Sequence, residues 1–236
     1  LPWQGRTIAG TTDIAAEPSA HPEPTDEEVA YLLGQLGEWL EPAPAAGDIH
    51  ARWAGLRPLI EEQAANTASI VREHHVEVGP KGLVSIAGGK WTTYRLMAEE
   101  TVDRLVQVAQ LEARNGCRTR ELALVGAEGF HEQLADELAA QHWLDADVAD
   151  HLARAYGDRA RELLAAGGGA GTRRLAADYP YIEAEVGWVR DYEMALTAED
   201  VLARRLRLAF LDQAATAAAM PRVEALLEEQ QVTGSN

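Results

Sequence analysis

Two arginines are the residues of this sequence whose type and spacing suit an anionic ligand. Arg57 lies between Gly55 and Pro58, and Arg72 follows fifteen residues later. A guanidinium fork binds phosphate or carboxylate oxygens in pairs. The separation is compatible with two adjacent strands over one pocket, so the two arginines form a candidate anion clamp. Taken alone, Arg57 also fits a surface or structural ion pair.

Two adjacent glycines, Gly88 and Gly89, join a predicted strand to a predicted helix. The strand is the apolar run of residues 83–87, and the helix carries apolar residues at helical spacing from Met97 to Val108. Paired glycines allow backbone conformations closed to other residues and let a flat ligand approach closely. The helix start offers unpaired N–H groups and partial positive charge, which suits an anion or a carbonyl edge. By itself the pattern also fits an ordinary turn.

The full string Gly-Gly-Lys-Trp-Thr-Thr-Tyr-Arg, residues 88–95, is more specific than a glycine turn. It closely resembles the signature of FAD-dependent glycerol-3-phosphate dehydrogenases, membrane-associated flavoenzymes that pass electrons to quinone. Residues 2–13 include Pro-Trp and Ile-Ala-Gly-Thr-Thr-Asp, and residues 55–59 read Gly-Leu-Arg-Pro-Leu. Both are similar to motifs of the same family. The resemblance extends over essentially the whole chain and corresponds to about the second half of a typical member.

The resemblance implies roles for individual residues. The FAD would be bound at the pyrimidine side of its ring by Gly88, Gly89, Lys90, Trp91, Thr92 and Thr93. Arg57 and Arg72 would hold the substrate phosphate, which favours the ligand role of Arg57 over an ion pair. Lys90 would contact substrate and flavin, where its positive charge stabilises the reduced flavin.

The general base is not fixed by these motifs. Histidine is a natural acceptor for the C2 hydroxyl proton as hydride leaves to the flavin. His74 and His75 are neighbours on a predicted strand and point to opposite faces, so at most one of them can serve. His74 is the candidate base, and Lys90 and Arg57 are the other candidate catalytic residues. The alternative interpretation of His74 is a hydrogen-bonded or surface histidine.

Composition excludes several classes of function. The net charge of −17 argues against binding nucleic acid or an anionic membrane by bulk electrostatics. The single cysteine, Cys117, excludes an internal disulfide and a thiolate-rich metal site, and no metal ligands are predicted. No run of eighteen apolar residues that would indicate a membrane-spanning helix occurs.

The predicted fold class is α+β. Residues 1–115 would form part of a mixed sheet that binds flavin and substrate, and residues 116–236 an all-α C-terminal domain, because the sequence becomes alanine-rich after Asn115 and Gly116. The first residue is not Met, and no Gly-x-Gly-x-x-Gly fingerprint is present. We therefore expect the N-terminal FAD-binding half on a second chain or segment.

Local patterns predict several further elements. Thr25 and Glu28 form a capping box at the start of a helix, and residues 49–60 and 67–78 are expected to be strands. One helix should start at Thr197 and continue to Leu211, and Pro221 should begin a separate final helix.

The function implied by the resemblance is FAD-dependent oxidation of sn-glycerol 3-phosphate to dihydroxyacetone phosphate, with electrons passed to quinone. The family also implies peripheral association with the mitochondrial inner membrane or the bacterial cytoplasmic membrane. Two alternatives remain open: a structural or assembly subunit of a respiratory complex derived from such an enzyme, and a related flavin oxidase with another anionic substrate.

Overall fold

The computed structural model describes residues 1–57 and 74–233. The chain divides into two units, one made of Leu1–Gly55 with Leu124–Asn236 and the other of Leu56–Ala123. Short strands lie before residue 90, and helices make up the C-terminal part. The predicted α+β class with a helical C-terminal region is confirmed.

The first unit begins with a small hairpin and a capped helix. Strands β1 (Pro2–Trp3) and β2 (Arg6–Thr7) pair antiparallel. Helix α1 spans Asp26–Gly37, and its predicted capping box is confirmed, because Thr25 accepts from the Glu28 amide while Glu28 accepts from the Thr25 amide. Glu28 also accepts from the Thr12 hydroxyl at 2.5 Å, so this carboxylate fixes the loop before the helix as well.

The C-terminal part of the first unit is built from helices around one apolar core. Their bounds are α3 Leu134–His142, α4 Ala146–Tyr156, α5 Ala160–Gly167, α6 Glu183–Glu193, a π-helix Asp200–Arg205, α7 Leu208–Leu211 and α8 Gln213–Thr233. The largest fully buried apolar side chains include Leu134, Leu138, Leu152, Leu163, Tyr181, Ile182, Leu202 and Leu208. Burial of such side chains contributes about 1.5–3 kcal/mol each, which makes this core the main source of the unit's stability.

Tyrosines of the helical part contact the N-terminal hairpin within the same unit. The Tyr179 hydroxyl accepts from Arg6 and donates to Asp212, both at 2.9 Å, and the Tyr181 hydroxyl donates to Gln4 at 3.0 Å. Buried hydroxyls need such partners, since an unpaired one costs about 1–3 kcal/mol. The hairpin therefore completes the hydrogen bonding of the helical core.

Within residues 56–57 and 74–123, the second unit contains a hairpin and one helix. Strands β3 (His74–Val78) and β4 (Val84–Gly88) pair antiparallel, with His74 opposite Gly88 and Val78 opposite Val84. A 3-10 turn, Trp91–Thr93, leads into helix α2, Tyr94–Val108. The predicted strand–turn–helix order is confirmed. Helix α2 ends at Val108, and Gln110 just after it adopts a left-handed conformation with φ of 52°.

Two predicted elements are wrong where the structure describes them: the strand over residues 49–60 and the helix start at Pro221. The predicted strand 67–78 is present in its described part, as β3 His74–Val78. Residues 49–57 of the predicted strand 49–60 form no strand, and Gln213 instead binds the carbonyls of His50 and Arg52. Residues 58–60 and 67–73 lie outside the described part of the chain. Pro221 lies inside α8 rather than starting a helix, because Asp212 already caps that helix by accepting from the Ala215 amide.

The helix expected from Thr197 to Leu211 is interrupted at Arg207. Thr197 does cap it, since its hydroxyl accepts from the Asp200 amide. Arg207 then takes a left-handed conformation with φ of 68°. Leu206 and Leu208 are both buried on its two sides. The chain therefore leaves the helix at Arg207 and starts the short helix α7 at Leu208.

Within residues 1–57 and 74–233, no helix combines the length and the apolar character needed to cross a bilayer.

Candidate functional site

The glycine turn has the backbone geometry that the sequence predicts. Gly88 and Gly89 have φ values of 72° and 84°, in a region that residues with a side chain rarely adopt. A Cβ atom on Gly89 would lie 2.6 Å from Met97 Sδ and 3.0 Å from His74 Cβ. Gly89 is thus required both by its conformation and by close packing against strand β3 and helix α2.

The residues after the glycines form a tight turn that leads into α2. The Lys90 carbonyl accepts from both the amide and the hydroxyl of Thr93, each at 3.0 Å. Trp91 is 84% exposed and stacks on Tyr94 with ring centroids 5.3 Å apart. Lys90 and Thr92 are also exposed. The turn therefore presents a lysine and a large aromatic ring at the surface of this unit.

No side chain caps the start of helix α2, and the amide of Tyr94, its first residue, donates to the Trp91 carbonyl of the preceding turn. Thr93, at the N-cap, makes no side-chain capping bond, and the first turn contains no acidic residue. The amides at such a terminus favour negative charge in a ligand. Strand, glycine turn, exposed Lys90 and uncapped helix together fit the electron-rich edge of a flavin ring, and Lys90 with the residues around it would hold it.

His74, the candidate base, is paired with an acidic residue of α2. Its Nε2 atom lies 2.5 Å from Oε2 of Glu100, and the His74 side chain is 16% exposed. The neighbouring His75 is exposed, as the alternation of strand faces predicts. The hydrogen-bonded state of His74 is compatible with either a supporting role or a base oriented by a carboxylate.

The candidate anion clamp is only partly described. Arg57 is exposed and lies at the end of the first described segment, whereas Arg72 lies outside the described residues. Arg95, by contrast, is engaged within the protein: it donates to Glu99 at 2.7 Å and to Thr119 at 3.1 Å. That hydrogen bond to Glu99 raises the pKa of Arg95 and lowers that of Glu99, so Arg95 is a structural cation.

A second polar cluster, in the helical part, was not predicted from the sequence. Glu185 is fully buried and accepts from His151 Nε2 at 2.7 Å, from the Tyr156 hydroxyl at 2.9 Å and from the Ile182 amide at 2.7 Å. All three contacts end on one carboxylate, so the charge has the partners that burial demands. The cluster joins α4 to α6 and stabilises the fold.

The pKa values of His151 and Tyr156 are set by burial and by the Glu185 carboxylate. Burial alone would lower the pKa of His151, but the charge and hydrogen bond of Glu185, with the nearby Asp150 and Asp147, outweigh it and raise that pKa. Burial, reinforced by Glu185, raises the pKa of Tyr156 well above its ordinary value. Tyr156 therefore keeps its proton at neutral pH, and the Glu185 carboxylate favours the protonated form of His151.

Two side-chain contacts escaped the sequence reasoning because they join distant positions. His74 and Glu100 are 26 residues apart and His151 and Glu185 are 34 apart. The one local signal is the Ile182–Glu185 spacing, in which a glutamate at the third helical position reaches back to the N-cap amide. No group of three or more metal-binding side chains occurs in the described residues.

Two family models match consecutive parts of the chain. Residues 1–104 match a family described as FAD dependent oxidoreductase, and residues 117–232 match the C-terminal domain of alpha-glycerophosphate oxidase. Residues 105–116 lie between the two matches, and the domain boundary near residue 115 stays a prediction.

Curated relatives and a solved structure are similar over nearly the whole chain. A probable mitochondrial glycerol-3-phosphate dehydrogenase of Caenorhabditis elegans is 42% identical over 98% of this chain, and the human mitochondrial glycerol-3-phosphate dehydrogenase 41% over 96%. The FAD complex of glycerol-3-phosphate dehydrogenase from Bacillus halodurans matches 95% of this chain with a TM-score of 0.65 and 29% identity. The chain spans 33% and 32% of the two relatives and 46% of the solved chain.

Proposed function

We propose that the chain is part of an FAD-dependent glycerol-3-phosphate dehydrogenase and contributes to oxidation of sn-glycerol 3-phosphate to dihydroxyacetone phosphate. The observation that carries this proposal is the turn at Gly88–Gly89, followed by exposed Lys90 and an uncapped helix. It lies in the segment that matches FAD-dependent oxidoreductases. Similarity to relatives named glycerol-3-phosphate dehydrogenase supports the substrate.

The flavin-binding role is assigned to residues 88–93. The positive end of helix α2 and the Lys90 ammonium would face the pyrimidine edge of the ring, where positive charge stabilises a reduced flavin. Bound FAD would supply the acceptor for the hydride that leaves substrate C2. Gly88, Gly89, Trp91, Thr92 and Thr93 shape the turn, and the Thr93 hydroxyl is engaged with the Lys90 carbonyl.

The substrate-binding role is assigned to Arg57, Arg72 and Lys90. Guanidinium groups bind phosphate oxygens bidentately, and an ammonium group donates to a hydroxyl oxygen. His74 remains the candidate acceptor for the proton of the C2 hydroxyl. These assignments concern only the residues of this chain, and the FAD adenosine half requires a complementary segment.

A complementary N-terminal FAD-binding segment is supported by the packing of the second unit. Among its described residues, 56–57 and 74–123, no side chain is fully buried. Leu83, Trp91, Val102 and Leu105 are exposed. A two-stranded hairpin with one helix is marginally stable alone, so further apolar surface packed against these described elements would stabilise them. A second chain or a further segment of the same polypeptide would supply it.

The electron acceptor is proposed to be quinone, at the face of the mitochondrial inner membrane or the bacterial cytoplasmic membrane. The mitochondrial names of the relatives support a mitochondrial location. A related oxidase is the alternative, favoured by the match of residues 117–232 to a domain of alpha-glycerophosphate oxidase. Oxygen consumption and quinone reduction by the purified flavoenzyme, each started with glycerol 3-phosphate, distinguish the two.

The substrate assignment is tested by Arg57→Ala in the complete flavoenzyme. Loss of a charge-assisted contact to phosphate is expected to raise KM for glycerol 3-phosphate about 10- to 100-fold. Arg104→Ala is the matched control, because Arg104 is an exposed arginine of α2 that bonds only weakly to Gln107, at 3.4 Å. An unchanged KM in Arg57→Ala would exclude the phosphate role of Arg57.

A further inference from the structure

The contact between His74 and Glu100 joins strand β3 to helix α2 beside the glycine turn. His74 is the first residue of β3 and pairs with Gly88, the last residue of β4. Its Nε2 atom lies 2.5 Å from Oε2 of Glu100. The contact therefore stands at the end of the hairpin from which the Gly89–Lys90 turn leaves.

Gly89 packs between the same strand and the same helix. A Cβ atom there would be 3.0 Å from His74 Cβ and 2.6 Å from Met97 Sδ. Met97 and Glu100 are three positions apart on α2, so they share one face of the helix. The turn thus rests on His74 from one side and on Met97 from the other, and Glu100 connects these two supports.

We infer that Glu100 is a positioning residue for the flavin-binding turn. By binding His74 it fixes the distance between β3 and α2, and this distance sets the place of Gly89 and of Lys90 after it. The inference rests on the proposed flavin-binding role of residues 88–93. Glu100 itself bonds to the imidazole and acts on the turn through it.

A carboxylate suits this role better than an apolar contact would. The His74 side chain is 16% exposed and that of Glu100 is 49% exposed, so one partner is mostly enclosed while the other reaches solvent. A hydrogen bond has a defined length and direction, whereas apolar side chains can slide past one another. Because Glu100 is half exposed, this single contact adds little to the stability of the fold, which separates a positioning effect from a general loss of folding.

The test measures flavin in the complete enzyme that carries this chain. Glu100→Ala is expected to increase the rate of FAD dissociation about tenfold and to shift the visible absorption band of the flavin that stays bound. Glu100→Gln keeps an oxygen that accepts from Nε2–H and is expected to restore both values to near wild type. Asp103→Ala is the control, since Asp103 is an exposed acidic residue of the same helix.

The outcomes separate this inference from the proposed function. Unchanged FAD dissociation and an unchanged spectrum in Glu100→Ala would overturn the inference, even if activity fell, because the turn would then be independent of Glu100. An equal loss of FAD in Glu100→Ala and Glu100→Gln would also overturn it, since the hydrogen bond would not matter. A wild-type enzyme that contains no flavin would refute the proposed function and the inference with it.

Discussion

Replacement of Glu185 by alanine is expected to destabilise the helical unit strongly. The carboxylate is 0% exposed and accepts from His151, Tyr156 and the Ile182 amide. Its removal leaves three donors in a buried site without an acceptor. At about 1–3 kcal/mol for each unsatisfied donor, with partial relaxation of the His151 side chain, we expect a loss of about 4 kcal/mol. That is a large share of the stability of an ordinary domain, about 5–15 kcal/mol.

Urea unfolding of the chain, followed by far-ultraviolet circular dichroism, measures this loss. Glu185→Gln keeps one accepting oxygen and should cost about 2 kcal/mol, because its NH2 group then faces a donor. Glu162→Ala is the matched control: Glu162 pairs with Arg159 at 2.9 Å at the surface and should change stability by about 0.5 kcal/mol or less. A loss below about 1 kcal/mol in Glu185→Ala would refute the reasoning about buried donors.

Two further predictions concern His151 and Gly89. The pKa of His151 is raised above its ordinary value of 6.5, so protonated His151 stabilises the fold fully below about pH 6.5, and this contribution is lost as pH rises through the folded pKa. The urea midpoint should therefore fall over that pH range, and the fall should be flatter in His151→Gln. An equal pH dependence of the midpoint in wild type and variant would contradict the assignment. Gly89→Ala should weaken FAD retention, because φ of 84° costs a residue with Cβ about 1–2 kcal/mol and the new Cβ would overlap Met97. The double variant Gly89→Ala with Met97→Ala should relieve only the overlap and recover FAD retention in part. Full recovery of FAD retention would show that the backbone conformation is not strained.

Local patterns predicted the parts of the molecule that depend on neighbouring residues. The strand before Gly88, the helix after it and the capping box of Thr25 and Glu28 are each encoded within a few positions. Paired glycines and a threonine followed by a glutamate have direct backbone consequences. The turn that we assign to flavin binding was therefore readable from the sequence.

Contacts between distant residues were not predicted, because no local pattern records them. From the sequence alone, Glu100 is expected to be an exposed helical glutamate, but the fold places it against His74. Glu185 gives the same expectation, but helix packing buries it beside His151. Similarly, Pro221 suggests a helix start, yet Asp212 caps α8 earlier and the helix continues through the proline.

The central claim is that this chain carries the flavin- and substrate-binding turn of a glycerol-3-phosphate dehydrogenase. The most direct measurement is anaerobic addition of glycerol 3-phosphate to the complete purified enzyme that carries this chain, while its visible absorption is recorded. We predict a flavin band that bleaches with glycerol 3-phosphate and persists with glycerol, because the phosphate is needed for binding by arginine. Absence of the band, or equal bleaching by both compounds, would contradict the account.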